Sequence, residues 1–374
     1  MRDATTTNSD VKDAFISIRN VTKSFGDFVA VDDVSLDIPK GELFAILGGS
    51  GCGKTTLLRM LAGFESPSSG RIEIDNVDVT HQPAYERPVN MMFQSYAVFP
   101  HMDVEKNIAY GLVKDRVSKT AIAKRVDEML ELVQLGDFRK RMPGQLSGGQ
   151  RQRVALGRAL IKSPKVLLLD EPLAALDKKL RERTQFELMN IQYELGITFV
   201  VVTHDQEEAM TLSSRIAVMD EGRFRQVGTP KEIYEFPSNR FVADFIGTIN
   251  TFAGKVTDIG DDTISVYCDE IGASLSALGR HPVEIGQSVD IAVRPEKIFI
   301  GKSEPEDAIH ARLKGVVDDL GYLGNRSLYH IKLEGGRIVQ VSSQNRRRSA
   351  NRFLEWDDDV WISWRPRSAV VLVD

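Results

Sequence analysis

Only two cysteines, Cys52 and Cys268, occur in 374 residues. They are too few for a disulfide framework and lack the paired spacing of a zinc site, so reduced thiols are expected. Long hydrophobic runs are missing too: stretches such as Val166 to Leu169 and Phe199 to Val202 fall far short of the ~18 residues that a membrane-crossing helix needs. The first residues carry no apolar segment of the signal-peptide kind, which predicts a chain that stays in the cytoplasm. Excess positive charge is also absent. A formal net charge of -5 gives no global attraction for phosphate backbones and argues against a nucleic-acid partner.

What is present is an ordinary globular composition, 42% hydrophobic and 27% charged, which excludes disorder and fibrous architectures. The length predicts two domains. Residues 1–13 are polar and read as a loose tail, and regular patterning begins with a short strand at Phe15 to Ile18. A buried strand near Glu42 to Leu47 runs into a glycine-rich segment and then a helix ending at Gly63. From about 95 to 150 the pattern is mainly helical, with Val126, Met129, Leu130, Leu132 and Val133 at helical spacing. A helix through Val154 stops before Pro164, and a strand near Val166 to Leu169 follows. Next come a long helix over about 178 to 195, ended by Gly196, and a strand at Thr198 to Thr203. Short apolar strands alternating with helices predict an α/β domain over 14–248 with a mostly parallel, doubly covered sheet. After a linker around Pro237, Ser238 and Asn239, residues 249–374 carry short β-rich runs separated by Gly, Asp and Asn. These predict a small all-β barrel with a hint of internal duplication.

Gly48-Gly-Ser-Gly-Cys-Gly-Lys-Thr55 fits the G-x-x-x-x-G-K-[ST] pattern between a predicted strand and helix. Backbone N–H groups of Gly48, Ser50, Gly51, Cys52 and Gly53 would cradle a phosphate, with Thr56 continuing the helix start. Lys54 would reach the β/γ oxygens and Thr55 a Mg2+ ion. The bland alternative is a plain glycine-rich turn. Cys52, near Lys54 and a helix start, is expected to be a reactive thiol whose alkylation blocks hydrolysis. Asp170 and Glu171 end a buried strand, an expensive place for two carboxylates unless a metal or water network engages them. Asp170 is expected to hold Mg2+ and Glu171 to polarise the attacking water. Ser147, Gly148, Gly149 and Gln150 open a helix and read either as a simple cap or as a second phosphate site. In the second case the reachable phosphate belongs to another copy of the chain.

Together these motifs resemble the ABC transporter ATPase family, a P-loop NTPase fold with a RecA-like core and a helical subdomain, in which Leu146 to Gln150 matches the signature motif. The resemblance implies ATP and Mg2+ as ligands, with Thr55, Gln94 and Asp170 toward the metal, a D-loop at Ala175-Leu176-Asp177, and His204 as the switch histidine. Phe25 matches the adenine-stacking aromatic. The segment Phe93 to Met102 matches the region that receives a coupling helix of the membrane subunit, and Tyr96, Phe99 and Pro100 are expected there as exposed contacts, with core packing as the rival reading. Gly157 departs from the family's usual alanine.

The tail is similar to the OB-like (TOBE) domain of importer ATPases through Val293-Arg-Pro-Glu296 and Tyr322-Leu-Gly-Asn325. The run Phe245 to Asn250 and the ending near Trp356 to Asp374 look most like polyamine importers, although ferric-iron and sugar importers share the layout. The implied assembly is a homodimer of cassettes on two transmembrane permease subunits, with a periplasmic or lipid-anchored solute-binding protein, peripheral at the cytoplasmic face of the inner membrane. Rival readings are a soluble ABC ATPase, a P-loop kinase or GTPase, which has no use for the signature, and an exporter.

Overall fold

The computed structural model describes residues 14–174, 176–279, 282–306, 311–346 and 354–373. The 1–13 tail, Ala175 of the expected D-loop and Asp374 lie outside the described residues. Two compact units divide between Pro230 and Lys231.

The first unit opens with two strands, Ala14–Phe25 and Phe28–Pro39. The chain reverses at Gly26, whose φ of 59° suits glycine. The pairing sets Ile16 opposite Ile38 and Ile18 opposite Leu36, so one face is apolar, and Ser69–Ile74 and Val77–Asp78 extend this antiparallel sheet. Its inward side chains pack in one buried cluster with Leu57, Leu58 and Leu61 of helix Lys54–Ala62. The sequence reading caught only the first third of the opening strand, because bulges interrupt the alternation between Ile18 and Ser24.

Behind it stands a six-stranded sheet in the order Arg223–Gly228, Arg215–Asp220, Leu43–Gly48, Thr198–Thr203, Val166–Asp170, Val89–Met92. All neighbours are parallel except the first pair. Leu43–Gly48 and Thr198–Thr203 are buried at every position, as continuous apolar strands covered on both faces should be. Parallel alignment brings the carboxyl ends of three neighbours, Gly48, Asp170 and Thr203, to one edge of the sheet. That edge is where open α/β sheets bind ligands.

Helices Val104–Lys114, Lys119–Leu132 and Gly148–Leu160 form the helical part around Ile108, Leu112, Val126, Leu130 and Val154. Gly157 sits at their crossing: a Cβ there would lie 3.3 Å from Met129 Cγ and 3.4 Å from Ile108 Cδ1. Its small size lets the helices approach.

The second unit is all-β apart from short helices, as expected, and beside the expected barrel it holds a five-stranded sheet. Asn250–Ile259, Thr263–Cys268, Ala273–Leu278, Ala369–Leu372 and Ser288–Val293 close a barrel. Phe299–Gly301, Asp359–Trp364, Ala311–Tyr322, Arg326–Leu333 and Ile338–Gln344 make a five-stranded sheet. One buried cluster, including Phe252, Val293, Ile331 and Trp364, serves both. Val293-Arg-Pro leaves the barrel for the sheet, and Trp364-Arg-Pro leaves the sheet for the barrel, each through a single turn, Pro295–Lys297 or Pro366–Ser368. Asn250 ties the two by accepting from Gln340 N–H at 2.8 Å and donating to the Gln340 carbonyl at 2.9 Å.

Arg294 explains why this unit begins near 231 rather than at the 248/249 boundary read from the sequence. Buried in the second unit, it donates through Nη1 to the carbonyls of Ala243, Gly247 and Thr248 and through Nη2 to that of Tyr234. Its guanidinium also lies 4.4 Å from the Tyr234 ring centre. The segment around helix Arg240–Phe245 is thereby clasped to the barrel. Arg294→Met should therefore lower the stability of this unit by about 3 kcal/mol, since several carbonyls lose a charged donor together. Urea unfolding of the full chain reads the shift, and Arg294→Lys should recover less than half; an unshifted transition would mean that the clasp is dispensable.

Candidate functional site

The glycine-rich loop joins strand Leu43–Gly48 to helix Lys54–Ala62. Two of its glycines are obligatory. A Cβ on Gly48 would fall 2.3 Å from the Met219 carbonyl oxygen, and Gly53 has φ 104° with the Ala30 carbonyl oxygen 2.2 Å from any added Cβ. Lys54 is buried and its Nζ donates to the Gly48 and Gly49 carbonyls at 2.8 and 2.7 Å, which fixes the ammonium inside the loop's concavity. Ser50 and Gly51 are exposed at the tip and Thr56 is half-buried. The Cys52 expectation is corrected: its side chain is 6% exposed and packed in the core beneath the loop. Its thiol is turned away from solvent, and it serves the loop through its backbone.

Thr55 Oγ1 lies 3.3 Å from Asp170 Oδ1. Burial, the largest influence, raises the Asp170 pKa, with the Thr55 hydrogen bond opposing it. A hydroxyl and a carboxylate converging beside a phosphate loop are hard oxygen donors that leave room for water and phosphate oxygens, the donor set that suits Mg2+. These two residues fit the ion; Gln94 belongs to a different group.

That group is centred on Glu171. Its carboxylate is held from both sides: Gln94 Nε2 donates to Oε2 at 2.7 Å, and His204 Nδ1 lies 2.9 Å from Oε1. Glu171 itself has φ 46°, a left-handed conformation that a non-glycine residue adopts at a cost. Its N–H is anchored to the Val202 carbonyl at 2.9 Å. Three residues far apart in sequence thus meet at the sheet edge. Asp205 and Arg181, 2.7 Å apart, brace the turn after His204.

The signature residues build a complete capping box: Ser147 Oγ accepts from Gln150 N–H at 3.3 Å and Gln150 Oε1 accepts from Ser147 N–H at 2.9 Å. Gly148 and Gly149 face Leu176 and Leu180. Asp177 caps helix Lys178–Leu195 by accepting from Leu180 N–H. None of the hydrogen bonds of Ser147 to Gln150 among the described residues reaches the 48–56 loop. Phe25 ends its strand 47% exposed, with Lys23 Nζ 4.8 Å from its ring centre.

Tyr96 is a second correction. Expected at the surface, it is 7% exposed, and its hydroxyl donates to the Pro172 carbonyl at 3.4 Å. Phe99 is half-buried against Tyr110, ring centres 4.6 Å apart, and Pro100 is exposed. A groove of about 250 Å3 opens here, lined by Met91, Phe99, Tyr110, Arg158 and Lys162.

Sequence reasoning missed Glu208, which is 2% exposed behind His204 and hydrogen-bonded to Thr203 Oγ1 at 2.6 Å. Burial pushes its pKa up to about 7. The unfolded chain releases this proton near pH 4.5, so between there and pH 7 only the folded chain retains it and stability falls as pH rises. Glu208→Gln should flatten that slope and stabilise the protein at pH 8 by on the order of 2 kcal/mol. Melting temperatures from pH 5 to 8 check this; equal slopes in both proteins would assign the loss elsewhere.

Among the described residues no helix is long and apolar enough to cross a membrane. The family model described as "ABC transporter" matches residues 31–174, and "TOBE domain" matches 291–372. The chain is 51% identical to the putrescine transport ATP-binding protein PotG of Escherichia coli K12 over 96% of its own length and 94% of that protein. It is 49% identical to a spermidine/putrescine import ATP-binding protein, PotA, of Rubrobacter xylanophilus, over 96% and 93% of the two chains. Among solved structures, the cassette MJ0796, dimeric in a post-hydrolysis state with ADP and Pi, is 32% identical with a TM-score of 0.51, covering 57% of this chain and 98% of that one. CbiO1 of Clostridium perfringens, part of the ABC transporter complex cbiONQ, is also 32% identical with a TM-score of 0.56, covering 59% and 90%. With its phosphate loop, strand-end carboxylates and capped signature helix in place, this chain belongs to the ABC transporter family as an ATP-binding subunit with a C-terminal TOBE domain.

Proposed function

We propose that this chain is the ATP-hydrolysing subunit of an importer whose cargo is a polyamine of the putrescine and spermidine class. The observation that carries the catalytic half is the Glu171 carboxylate clamped by Gln94 and His204 at the sheet edge beside the phosphate loop. In this reading Lys54 and the loop N–H groups bind the β- and γ-phosphates, and Phe25 stacks on the adenine. Glu171 orients and deprotonates the attacking water, Gln94 holds Glu171 in place, and His204 senses the γ-phosphate. Thr55 and Asp170 would hold Mg2+, which when bound would supply charge neutralisation for phosphoryl transfer. Ser147 to Gln150 complete the pocket of a second copy, because their helix N-terminus offers N–H groups that the same chain's loop does not use.

The cargo assignment rests on relatives named for putrescine and spermidine, matched across both units. No residue of this subunit touches cargo in this reading, so ferric-iron or sugar import is what the test must separate. Two transmembrane permease subunits dock on the groove by Phe99 and Tyr110, and the ATPase works as a homodimer at the cytoplasmic membrane face. A solute-binding protein delivers cargo on the opposite side. The test is to isolate the chain from membranes with its copurifying subunits, reconstitute them in vesicles, and measure ATP hydrolysis with putrescine, spermidine, ferric iron or maltose offered to the solute-binding protein. Stimulation by a polyamine is expected. Stimulation by iron or sugar alone would overturn the cargo, and recovery only with ribosomes or DNA would overturn the importer.

A further inference from the structure

Beyond Gln94 the chain carries two successive non-glycine residues in the left-handed region, Tyr96 at φ 61° and Ala97 at φ 44°. Each costs on the order of 1 kcal/mol and persists only where neighbours over-determine it. The neighbour here comes from another element. Arg158, near the end of helix Gly148–Leu160, donates through Nη1 to the Ala97 carbonyl at 2.7 Å and through Nη2 to the Tyr96 carbonyl at 3.3 Å. Its guanidinium lies 4.9 Å from the Phe99 ring centre. An arginine on a helix is ordinarily a solvated charge, yet these partners are two carbonyls and a ring. The other side of the turn is fixed as well, since Tyr96 is buried with its hydroxyl on the carbonyl of Pro172, next to Glu171.

We infer that Arg158 is a positioning residue for hydrolysis: from the helix that Ser147 begins, it locks the left-handed turn at Tyr96 and Ala97 so that Gln94 stays against Glu171. The inference rests on the reading of Glu171 and Gln94 given above. Arginine is required because its planar fork reaches two acceptors while its face stacks on Phe99, which a lysine ammonium cannot do. The arrangement gives one rigid helix two ends, a phosphate-facing start and a grip on the turn that follows Gln94, the residue that holds Glu171. Displacement of the helix at its start is felt at Glu171.

Steady-state ATP hydrolysis by the full chain tests this. Arg158→Met should lower kcat about tenfold while KM for ATP stays within about twofold, because none of the Arg158 partners belongs to the 48–56 loop. Arg158→Lys, which keeps the charge and guards against misfolding of the methionine variant, should lose most of the same factor. A residue that only stabilises the fold would shift the melting temperature without regard to Gln94, so the decisive readout is a double-mutant cycle. Gln94→Ala alone slows turnover, and adding Arg158→Met to it should change kcat by less than about twofold. If the two effects multiply, or if Arg158→Lys turns over like the parent, the inference falls while the reading of Gln94 stands. Unchanged turnover in Gln94→Ala would overturn that reading and the inference with it.

Discussion

Glu171→Gln is expected to slow ATP hydrolysis about 10³-fold while leaving ATP binding intact. The substitution changes little besides basicity. Gln has the same length, so the strained φ of 46° and the N–H bond to the Val202 carbonyl are retained. The amide still offers an oxygen to Gln94 Nε2 or an N–H to His204 Nδ1, and what disappears is the carboxylate that can take a proton from water. Because Lys54, Thr55 and Asp170 are untouched, nucleotide should bind at parental affinity and remain unhydrolysed. The variant should therefore accumulate as an ATP-bound dimer, readable by size-exclusion chromatography with and without ATP, alongside single-turnover hydrolysis. Parental turnover in Glu171→Gln would remove Glu171 as the base. The companion variant His204→Ala frees one side of the carboxylate clamp and should give a smaller loss, since Gln94 still holds the other oxygen.

The loop, the carboxylate pair and the signature were legible because each is a local pattern tied to a strand or helix end. Gly48 and Gly53 announce themselves since only glycine satisfies those positions. The groups that hold the site together were not legible. Arg158 and Arg294 act on partners far away in the chain, and Glu208, although bonded to nearby Thr203, owes its burial to the tertiary fold; a lone arginine or glutamate reads as solvent-facing until the fold shows what it faces. Tyr96 and Cys52 failed for the opposite reason. Neither sits in an apolar run of its own periodicity, but the backbone turns both side chains inward. In the second unit the strands were visible, yet their division between barrel and sheet depends on exchanges at Pro295–Lys297 and Pro366–Ser368, and no periodicity encodes which sheet a strand joins. The paired Arg-Pro steps were the available signal, because each ends a buried strand and starts a strand in the other sheet.

Ser147→Arg should reduce turnover by about a hundredfold or more with ATP binding by the 48–56 loop preserved. The loss of the cap alone costs about 1 kcal/mol, too little to unfold a helix whose buried face includes Val154, Ala155 and Leu156. The remaining effect comes from filling the helix start with a long side chain where a neighbour's γ-phosphate must approach the N–H groups. Ser147→Ala separates the two contributions, since it removes the cap without bulk and should cost far less turnover. A mixed dimer decides which copy's nucleotide the motif serves. Ser147→Arg keeps a working phosphate loop and Lys54→Ala keeps a working signature, so if pockets are shared between copies, one intact pocket re-forms only when the two variants are combined. Single-turnover hydrolysis should then reappear in the mixture although each variant alone is inactive. If each signature served its own chain's loop, every pocket in the mixture would still carry a defect, and no activity would return.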